Sequence, residues 1–208
     1  MKCRLCGSDS LQIYFNEYSK CNNCQMIQQD ESTLLSFEQE KERYSHHNND
    51  SEDPGYIKFL KQLTDPLLDY IDKDARGLDF GCGPGPTISK ILAEENISCD
   101  NYDPAFFPDK ELLATTYDFV TSSEVFEHLH QPREVIENVW SLVRPGGLLA
   151  IMTVFYPGNQ DEFPKWWYKN DPTHVCFYNE QVFEYIANKL NAEILSMNKK
   201  IVILRRAL

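Results

Sequence analysis

A helical period of apolar residues opens the larger part of the chain. Over residues 55–71, apolar side chains recur at every third or fourth position, as they do on the buried face of a helix. Pro66 lies inside this segment and predicts a kink or a break, because proline lacks a backbone donor and its ring clashes with the preceding turn. The apolar positions are Ile57, Leu60, Leu63, Leu67, Leu68 and Ile71.

Short apolar runs alternate with further helical segments after this helix. The runs that predict buried strands are residues 76–80, 97–102, 117–122 and 148–154. Helices are predicted from Pro86 to about Glu95 and around Ile136 and Val139. The closing elements are a helix over 179–190 and a hairpin of 192–197 with 201–205. This order predicts an α/β fold: a doubly wound, mostly parallel Rossmann-like sheet with a C-terminal antiparallel hairpin.

Four of the seven cysteines lie in the first 24 residues, in two C-x-x-C pairs. Cys3 pairs with Cys6, Cys21 pairs with Cys24, and fourteen residues separate the two pairs. This spacing is close to that of four-cysteine zinc sites, in which thiolates surround Zn(II) as a closed tetrahedron. We therefore predict a small N-terminal zinc ribbon in which structural Zn(II) replaces a hydrophobic core. An iron site or a redox dithiol is the alternative.

A polar segment separates the cysteine pairs from the α/β pattern. Residues 28–54 are rich in Gln, Glu, Asp, Ser and Asn, with one short helix predicted over 34–44. His46 and His47 in this segment could bind metal, but four cysteines already close a zinc shell, so a solvated polar loop is favoured. The predicted division is a zinc ribbon at 1–27, a polar linker at 28–54 and one α/β domain at 55–208.

A glycine-rich turn follows the first strand of the α/β pattern and precedes a helix. Its residues are Gly81-Cys82-Gly83-Pro84-Gly85, directly after Asp79-Phe80. Glycines let the backbone approach a ligand and expose N–H groups at a helix start. The G-x-G-x-G spacing differs from the G-x-G-x-x-G pattern of dinucleotide sites, and Asp79 suits a cationic ligand group better than a phosphate.

These motifs resemble those of class I S-adenosylmethionine-dependent methyltransferases over roughly residues 56–208. The other matching pieces are Asp103, the run Tyr117-Asp118-Phe119-Val120, the run Glu124-Val125-Phe126-Glu127-His128-Leu129, and Arg144-Pro145-Gly146-Gly147. By this resemblance S-adenosylmethionine is the cofactor, and its ribose hydroxyls would bind Asp103. The residues that the resemblance assigns to the methionine moiety are Asp79, Phe80, Gly81, Cys82, Gly83 and Gly85. Those that it assigns to the approach to the sulfonium are Ser122, Ser123 and Glu124.

The segment after Asp103 departs from the family pattern. Only thirteen residues separate Asp103 from Tyr117, which is too few for a helix, a strand and a second helix. We therefore expect a short third strand and assign no residue to the adenine. A turn before Pro104 is the alternative role of Asp103.

Three residues are candidates for a catalytic base: Glu127, His128 and His174. The alternative for His128 is a backbone contact at a helix start, and that for His174 is a hydrogen bond that stabilises a turn. Five aromatic residues predict either a substrate pocket or packing over the sheet: Trp166, Trp167, Tyr168, Phe177 and Tyr178. The isolated cysteines are expected to be buried apolar residues rather than nucleophiles: Cys82, Cys99 and Cys176.

The charge balance of the chain limits the classes of binding partner that are expected. The formal net charge is -12, which disfavours nucleic acid and anionic membrane surfaces, because both attract Lys and Arg. No apolar run approaches the ~18 residues of a membrane span, and no apolar signal segment follows Met1, so a cytoplasmic location is expected.

Methyl transfer to a small molecule is therefore the predicted function. One alternative is base methylation of ribosomal RNA, because a zinc module before a class I domain also resembles some rRNA methyltransferases. Another is a non-catalytic protein that binds the cofactor or recruits a partner. Sugar C-methyltransferases with an N-terminal zinc domain are a further resemblance. The oligomeric state is not predicted.

Overall fold

The computed structural model of the chain describes residues 1–45 and 51–208. His46 and His47, for which the sequence left a metal role open, lie outside the described residues. The strands are β1 Leu11–Phe15, β2 Tyr18–Cys21, β3 Ile27–Gln29, β4 Arg76–Phe80, β5 Ser98–Tyr102, β6 Tyr117–Ser123, β7 Val143–Met152, β8 Cys176–Phe177, β9 Ala192–Met197 and β10 Ile201–Arg206. The α-helices are α1 Phe37–Ser45, α2 Pro54–Leu68, α3 Thr87–Glu94, α4 Pro132–Ser141 and α5 Glu180–Leu190.

A six-stranded sheet forms the centre of the larger domain, in the order β5-β4-β6-β7-β10-β9. The β4 strand is parallel to β5 and β6, and β6 is parallel to β7. The β10 strand runs antiparallel to both β7 and β9. The predicted α/β class, the mostly parallel sheet and the C-terminal hairpin are confirmed.

Helices cover both faces of this sheet because the residues of its strands alternate between two cores. On β7, Leu148, Ala150 and Met152 pack with α2 and α3, whereas Leu149 and Ile151 pack with α4 and α5. The α2 helix buries Leu60, Leu63 and Leu67, as the helical period predicted. Pro66 does not divide this helix, which ends two residues later at Leu68.

The structure also shows no helix among the described residues that is long and apolar enough to cross a bilayer.

The expected third strand is absent from residues 103–116, all of which the structure describes. This segment instead makes an isolated bridge between Asp103 and Phe107 and a 3-10 turn at Lys110–Ala114. The Tyr117 hydroxyl then donates to the Leu112 carbonyl at 2.9 Å, which holds the turn against the start of β6. The segment is too short to add a strand, so β5 remains the edge of the sheet.

The N-terminal strands belong to a second sheet, in the order β1-β2-β3-β8. Its fourth strand comes from the aromatic segment of the larger domain: Ile27 lies opposite Phe177, and Gln28 lies opposite Cys176. The predicted boundary between residues 27 and 28 thus falls inside β3. Met26 and Leu5 share one hydrophobic core with α4 and α5, so the N-terminal sheet is packed into the larger domain.

Candidate active site

A cavity of about 500 Å³ lies at the carboxyl ends of β4, β5 and β6. This is the edge where parallel α/β sheets bind their ligands. Its polar and small lining residues are Glu40, Asp79, Gly81, Cys82, Gly83, Pro84, Thr87, Asp103, Pro104, Ala105, Ser123, Glu124, His128, Asp171 and His174. Its apolar and aromatic lining residues are Tyr56, Phe59, Leu60, Ile88, Phe106, Val125, Leu129, Trp167 and Tyr168.

The glycine turn forms one wall of the cavity, and its conformation requires glycine. Gly81 has φ +79°, and a Cβ atom there would lie 2.4 Å from Cγ2 of Val125. Gly83 has φ +64°. The backbone N–H groups of Gly81 and Cys82 both donate to the Tyr102 carbonyl, which fixes the turn against the end of β5. The turn therefore brings bare backbone to the cavity.

Asp79 lies at the base of this wall, 3% exposed. The Thr121 hydroxyl donates to its Oδ1 at 2.8 Å. Burial raises the pKa of Asp79 to about 7, although the Thr121 hydrogen bond acts in the opposite direction and the charge of Asp103 adds to the rise. A cationic ligand group beside this carboxyl would favour its ionised form.

Asp103 also lines the cavity, where its carboxylate fixes two turns. Its Oδ1 accepts from the N–H groups of Ala105 and Phe106, at 2.8 and 3.1 Å. Its Oδ2 accepts from Gly83 N at 3.1 Å, which ties the end of β5 to the glycine turn. The turn role that the sequence left open is thus present. The ribose role stays a prediction.

Three residues assigned to the cofactor by resemblance do not line the cavity: Phe80, Gly85 and Ser122. The Phe80 ring stacks on Tyr102 with centroids 5.4 Å apart, and Ser122 is completely buried in β6. The Gly85 carbonyl accepts from the Thr87 hydroxyl at 3.0 Å, at the start of α3. Strand alternation explains Ser122, because its neighbour Ser123 reaches the cavity.

A carboxylate pair and a tyrosine meet just beyond the end of β6. The Tyr168 hydroxyl lies 2.5 Å from Oε1 of Glu127 and 3.1 Å from Oε2 of Glu124. Glu127 is completely buried and is absent from the cavity lining, whereas Glu124 lines it. Burial raises the pKa of Glu124 to about 8 and that of Glu127 to about 7.

Two imidazoles stand beside this pair, with ring centroids 4.7 Å apart. His128 Nδ1 lies 3.0 Å from the Thr173 carbonyl, and His174 Nδ1 lies 2.7 Å from the Tyr168 carbonyl. A carbonyl only accepts, so both Nδ1 atoms carry hydrogen. In the neutral rings Nε2 is therefore the basic nitrogen. The backbone contact predicted as the alternative for each histidine is present, and both histidines also line the cavity.

Residues of the aromatic segment both line the cavity and pack against other side chains, which are the two roles that the sequence left open. Trp167 and Tyr168 line the cavity. Trp166 packs against Phe163 and Phe177, and Tyr178 is completely buried. The sequence analysis missed a second group of cavity aromatics: Tyr56, Phe59 and Phe106. The helical period over 55–71 placed Tyr56 and Phe59 on a helix, but it could not show that their end of α2 covers the glycine turn.

The isolated cysteines are shielded rather than reactive. Cys82 and Cys176 are buried, and Cys99 is half-buried. Burial raises the pKa of all three thiols, which keeps them protonated. The expectation that they are packing residues agrees with this.

The four N-terminal cysteines lie together, with sulfur ligand atoms all within 4.8 Å of one another. Cys3 Sγ is 3.5 Å from Cys24 Sγ, and Cys6 Sγ is 3.4 Å from Cys21 Sγ. Sulfur atoms about 2.3 Å from a tetrahedral Zn(II) would be about 3.8 Å apart, so this set fits zinc. Gly7 follows the first pair with φ +75°, as the knuckle needs.

Arg4, between the first two cysteines, connects this cluster to the cavity. Its guanidinium donates to the carbonyls of Val175 at 2.8 Å, Gln29 at 3.2 Å and His130 at 3.3 Å. The Val175 N–H in turn donates to the Glu127 carbonyl at 2.7 Å. Two successive hydrogen bonds, from Arg4 to Val175 and from Val175 to Glu127, therefore link the first cysteine pair to the backbone of Glu127.

Comparisons with known proteins show the family of the chain. The model of a methyltransferase-domain family matches residues 50–197. A ubiquinone biosynthesis O-methyltransferase of Histophilus somni (strain 2336) is 25% identical over 151 residues, which cover 56% of this chain and 63% of that protein. The protein of the same name from Colwellia psychrerythraea is 35% identical over 88 residues, covering 42% of this chain and 35% of that one. The chain thus spans less than two thirds of these curated relatives.

Solved structures share the fold. An O-methyltransferase family protein from Burkholderia thailandensis has a TM-score of 0.52 at 16% identity, covering 83% of this chain and 64% of that chain. A SAM-dependent methyltransferase from Methanosarcina mazei has a TM-score of 0.53 at 15% identity, covering 69% and 97%.

Proposed function

The chain belongs to the class I S-adenosylmethionine-dependent methyltransferases, and we propose that it transfers a methyl group from S-adenosylmethionine to a hydroxyl of a small molecule. One observation carries the proposal: a single cavity of about 500 Å³ is lined both by bare glycine backbone and by two imidazoles. The curated relatives are named O-methyltransferases, which supports a hydroxyl acceptor.

The cofactor would lie along the glycine turn, and the residues there fit it. Gly81 and Gly83 line the cavity in left-handed conformations, with φ +79° and +64°, and present backbone to it. Ser123 lines the cavity, and its Oγ is buried without a hydrogen-bond partner, so a ligand can supply one. Asp79 would meet the cationic amino group, and Asp103 the ribose hydroxyls. The cofactor supplies a methyl group made electrophilic by a positively charged sulfur.

The protein's own task is to hold the acceptor in line with that methyl group and to exclude water. Phe106, Trp167 and Tyr168 would cover the acceptor with aromatic surface. As the oxygen–carbon bond forms and the carbon–sulfur bond breaks, the hydroxyl proton must leave. The Nε2 atoms of His128 and His174 are the imidazole nitrogens suited to accept it, and Glu127 lies beside them.

The N-terminal cysteines have a different role in this proposal. Cys3, Cys6, Cys21 and Cys24 would hold one structural Zn(II) in a closed shell with no position for substrate. The ribbon at 1–27, the linker and the catalytic domain remain proposed divisions of the chain. RNA as substrate is disfavoured by the net charge of -12.

Calorimetric titration with S-adenosylmethionine and S-adenosylhomocysteine tests the cofactor site. We expect the wild-type protein to bind both, and Asp103→Asn to bind them about 10- to 100-fold more weakly, since a charge-assisted hydrogen bond contributes about 1.5–3 kcal/mol. Asparagine retains the Oδ1 atom that accepts from Ala105 and Phe106 but loses the Oδ2 acceptor of Gly83 N, so thermal unfolding of the variant is compared with that of the wild type. Absence of wild-type binding would overturn the proposal. Unchanged affinity in the variant would remove only the ribose assignment.

Turnover tests the rest of the proposal. The full chain is incubated with labelled S-adenosylmethionine and a panel of small phenols, alcohols and amines, and with ribosomal RNA in parallel. Label transferred to a hydroxyl compound is the expected result. Transfer to RNA alone would contradict a small-molecule acceptor, and cofactor binding with no transfer to any member would favour a non-catalytic protein.

A further inference from the structure

A second group of metal-ligand atoms lies at the cavity. One ligand atom each of Glu127, His128 and His174 lies within 4.8 Å of the others. Among the residues that the structure describes, the four cysteines form the other group of this kind. Two imidazoles and one carboxylate are a ligand set that leaves coordination positions open for a substrate.

The two histidines are oriented as metal ligands usually are. Each donates its Nδ1 hydrogen to a backbone carbonyl, Thr173 for His128 and Tyr168 for His174. Metal-bound histidines characteristically donate their second ring N–H to a carbonyl or carboxylate, which fixes the ring and leaves the other nitrogen for the metal. The Tyr168 carbonyl belongs to the 3-10 turn Trp167–Asn170 and the Thr173 carbonyl to the segment before β8, so backbone groups orient both rings.

Buried carboxylate oxygens give an independent indication. Glu127 is completely buried, and its Oε2 has no hydrogen-bond partner. Oε1 of Glu124, which is also buried, has none either. An unpaired buried polar atom costs about 1–3 kcal/mol, and more when it is charged, so such atoms call for an explanation. A cation between Glu127 and the histidines would supply the missing partner.

The surrounding charge is consistent with a missing cation. Glu124, Glu127 and Asp171 bring three carboxyl groups to this side of the cavity. Lys200 is the nearby cation that acts on both glutamates, but its Nζ lies over the Phe59 ring, 3.7 Å from the centroid. Arg43 pairs with Asp171 at 3.5 Å, whereas Lys200 is shared between Glu124 and Glu127, whose two carboxyl groups it does not balance.

We propose that Glu127, His128 and His174 bind one divalent cation such as Mn(II), Fe(II) or Zn(II), with Glu124 beside them, and that its open positions face the cavity. Mixed imidazole and carboxylate ligands suit these metals.

The catalytic part of this inference rests on the proposed function. A hydroxyl bound to the cation loses its proton more readily, because the cation stabilises the alkoxide or phenoxide. With both Nε2 atoms on the metal, that proton passes to solvent water. The oxygen then bonds to the methyl carbon as the carbon–sulfur bond breaks. The expected methyl acceptor is therefore a compound whose hydroxyl can bind a metal ion.

Electron paramagnetic resonance with Mn(II) tests the site directly, since free Mn(II) gives a signal that is lost on binding. The full chain, with its cysteines intact, is titrated with Mn(II) alone. We expect one bound Mn(II) per chain, and affinity at least tenfold weaker in Glu127→Gln and in His174→Asn. His128→Asn, in a partly exposed residue, gives a third variant should a buried one fail to fold. His130→Asn is the matched control, because His130 contacts Glu40 instead.

The outcomes separate this site from the proposed function. No binding by the wild-type chain, or equal binding by all variants, would overturn the metal site. Transfer of methyl to a hydroxyl compound at the same rate with and without Mn(II) would overturn its catalytic role while the proposed function stands. Binding of Mn(II) at these residues with no methyl transfer would leave the site in place and overturn the proposed function.

Discussion

The two groups of metal-ligand atoms differ in almost every physical respect. The cysteine cluster is all sulfur and has no contact with the cavity, whereas the Glu127 cluster is oxygen and nitrogen and opens onto it. Four thiolates complete a tetrahedron, but two imidazoles and a carboxylate do not complete any common shell. The comparison teaches that ligand number and surroundings, rather than the presence of ligands, distinguish a structural from a catalytic site.

The two groups are nevertheless connected. Arg4 lies between Cys3 and Cys6, and its guanidinium holds the Val175 carbonyl next to His174. A change in the cysteine cluster should therefore reach the cavity, while a change in the Glu127 cluster should leave the ribbon intact.

The largest effect is expected from Cys21→Ser. Metal binding in zinc modules contributes on the order of 10 kcal/mol to folding, and the ribbon shares its core with α4 and α5. We expect loss of bound zinc, measured by metal analysis, and a cooperative loss of stability in thermal unfolding. Cys99→Ser, which alters a cysteine outside the cluster, is the control. A variant that loses zinc but melts like the wild type would show that the ribbon is independent.

Glu127→Gln should act on catalysis alone. Removal of the buried carboxylate takes away one ligand and its charge, so we expect kcat to fall about 10²- to 10⁴-fold while the cysteine cluster keeps its zinc. Steady-state kinetics and calorimetric binding of S-adenosylmethionine check this. An equal loss in cofactor affinity would mean that Glu127 supports the glycine-turn side as well. Glu137→Gln on α4 is the control.

The pH dependence of cofactor binding should follow Asp79. Its pKa of about 7 lies above the usual value for an aspartate, so the carboxyl of the free protein is protonated below pH 7 and ionised above it. Pairing with a cationic amino group needs the ionised form. We expect affinity to fall about tenfold for each pH unit below 7 and to level off above it. The Asp79→Asn variant should bind the cofactor weakly at every pH. If its affinity instead varies with pH as that of the wild type does, the titrating group belongs to the ligand and not to Asp79.

The smallest effect is expected from Arg4→Lys. Lysine keeps the charge but cannot span three carbonyls in a fixed geometry, so we expect kcat to fall about tenfold or less, with zinc content and cofactor affinity unchanged. Arg133→Lys is a matched control, because Arg133 also bonds the ribbon, at the Leu5 carbonyl, but on the α4 side. Equal losses of kcat in both variants would indicate that the contact between the ribbon and the larger domain is weakened in general, and not that Arg4 specifically links the ribbon to the cavity.

Local sequence signals predicted the parts of the molecule that depend on neighbours in the chain. The strand before Gly81, the turn itself and the C-terminal hairpin were predicted from period and spacing, and the structure has them. The pairing of β3 with β8 was not predicted, because β8 has two residues and its partner lies far away in the sequence. The proximity of His174 to His128 was not predicted for the same reason, because the two residues are far apart in the sequence.

Packing decided the rest of the candidate site. The resemblance to the methyltransferase family assigned Phe80 and Ser122 to the cofactor, but strand alternation turns Ser122 away and Phe80 stacks on Tyr102. Tyr168 was one of five aromatics in one segment. Only the fold shows that its hydroxyl lies between Glu124 and Glu127.

The pairing of β3 with β8 also has a consequence for biosynthesis. The ribosome makes β3 near the start of the chain and β8 near its end, so a nascent ribbon can bind metal long before its sheet is complete. Until β8 emerges, β3 presents an open edge, which is a template for pairing with other chains. Contacts between distant segments also form slowly. Completion of the sheet that contains β1 to β3 should thus wait until Cys176 and Phe177 have been synthesised.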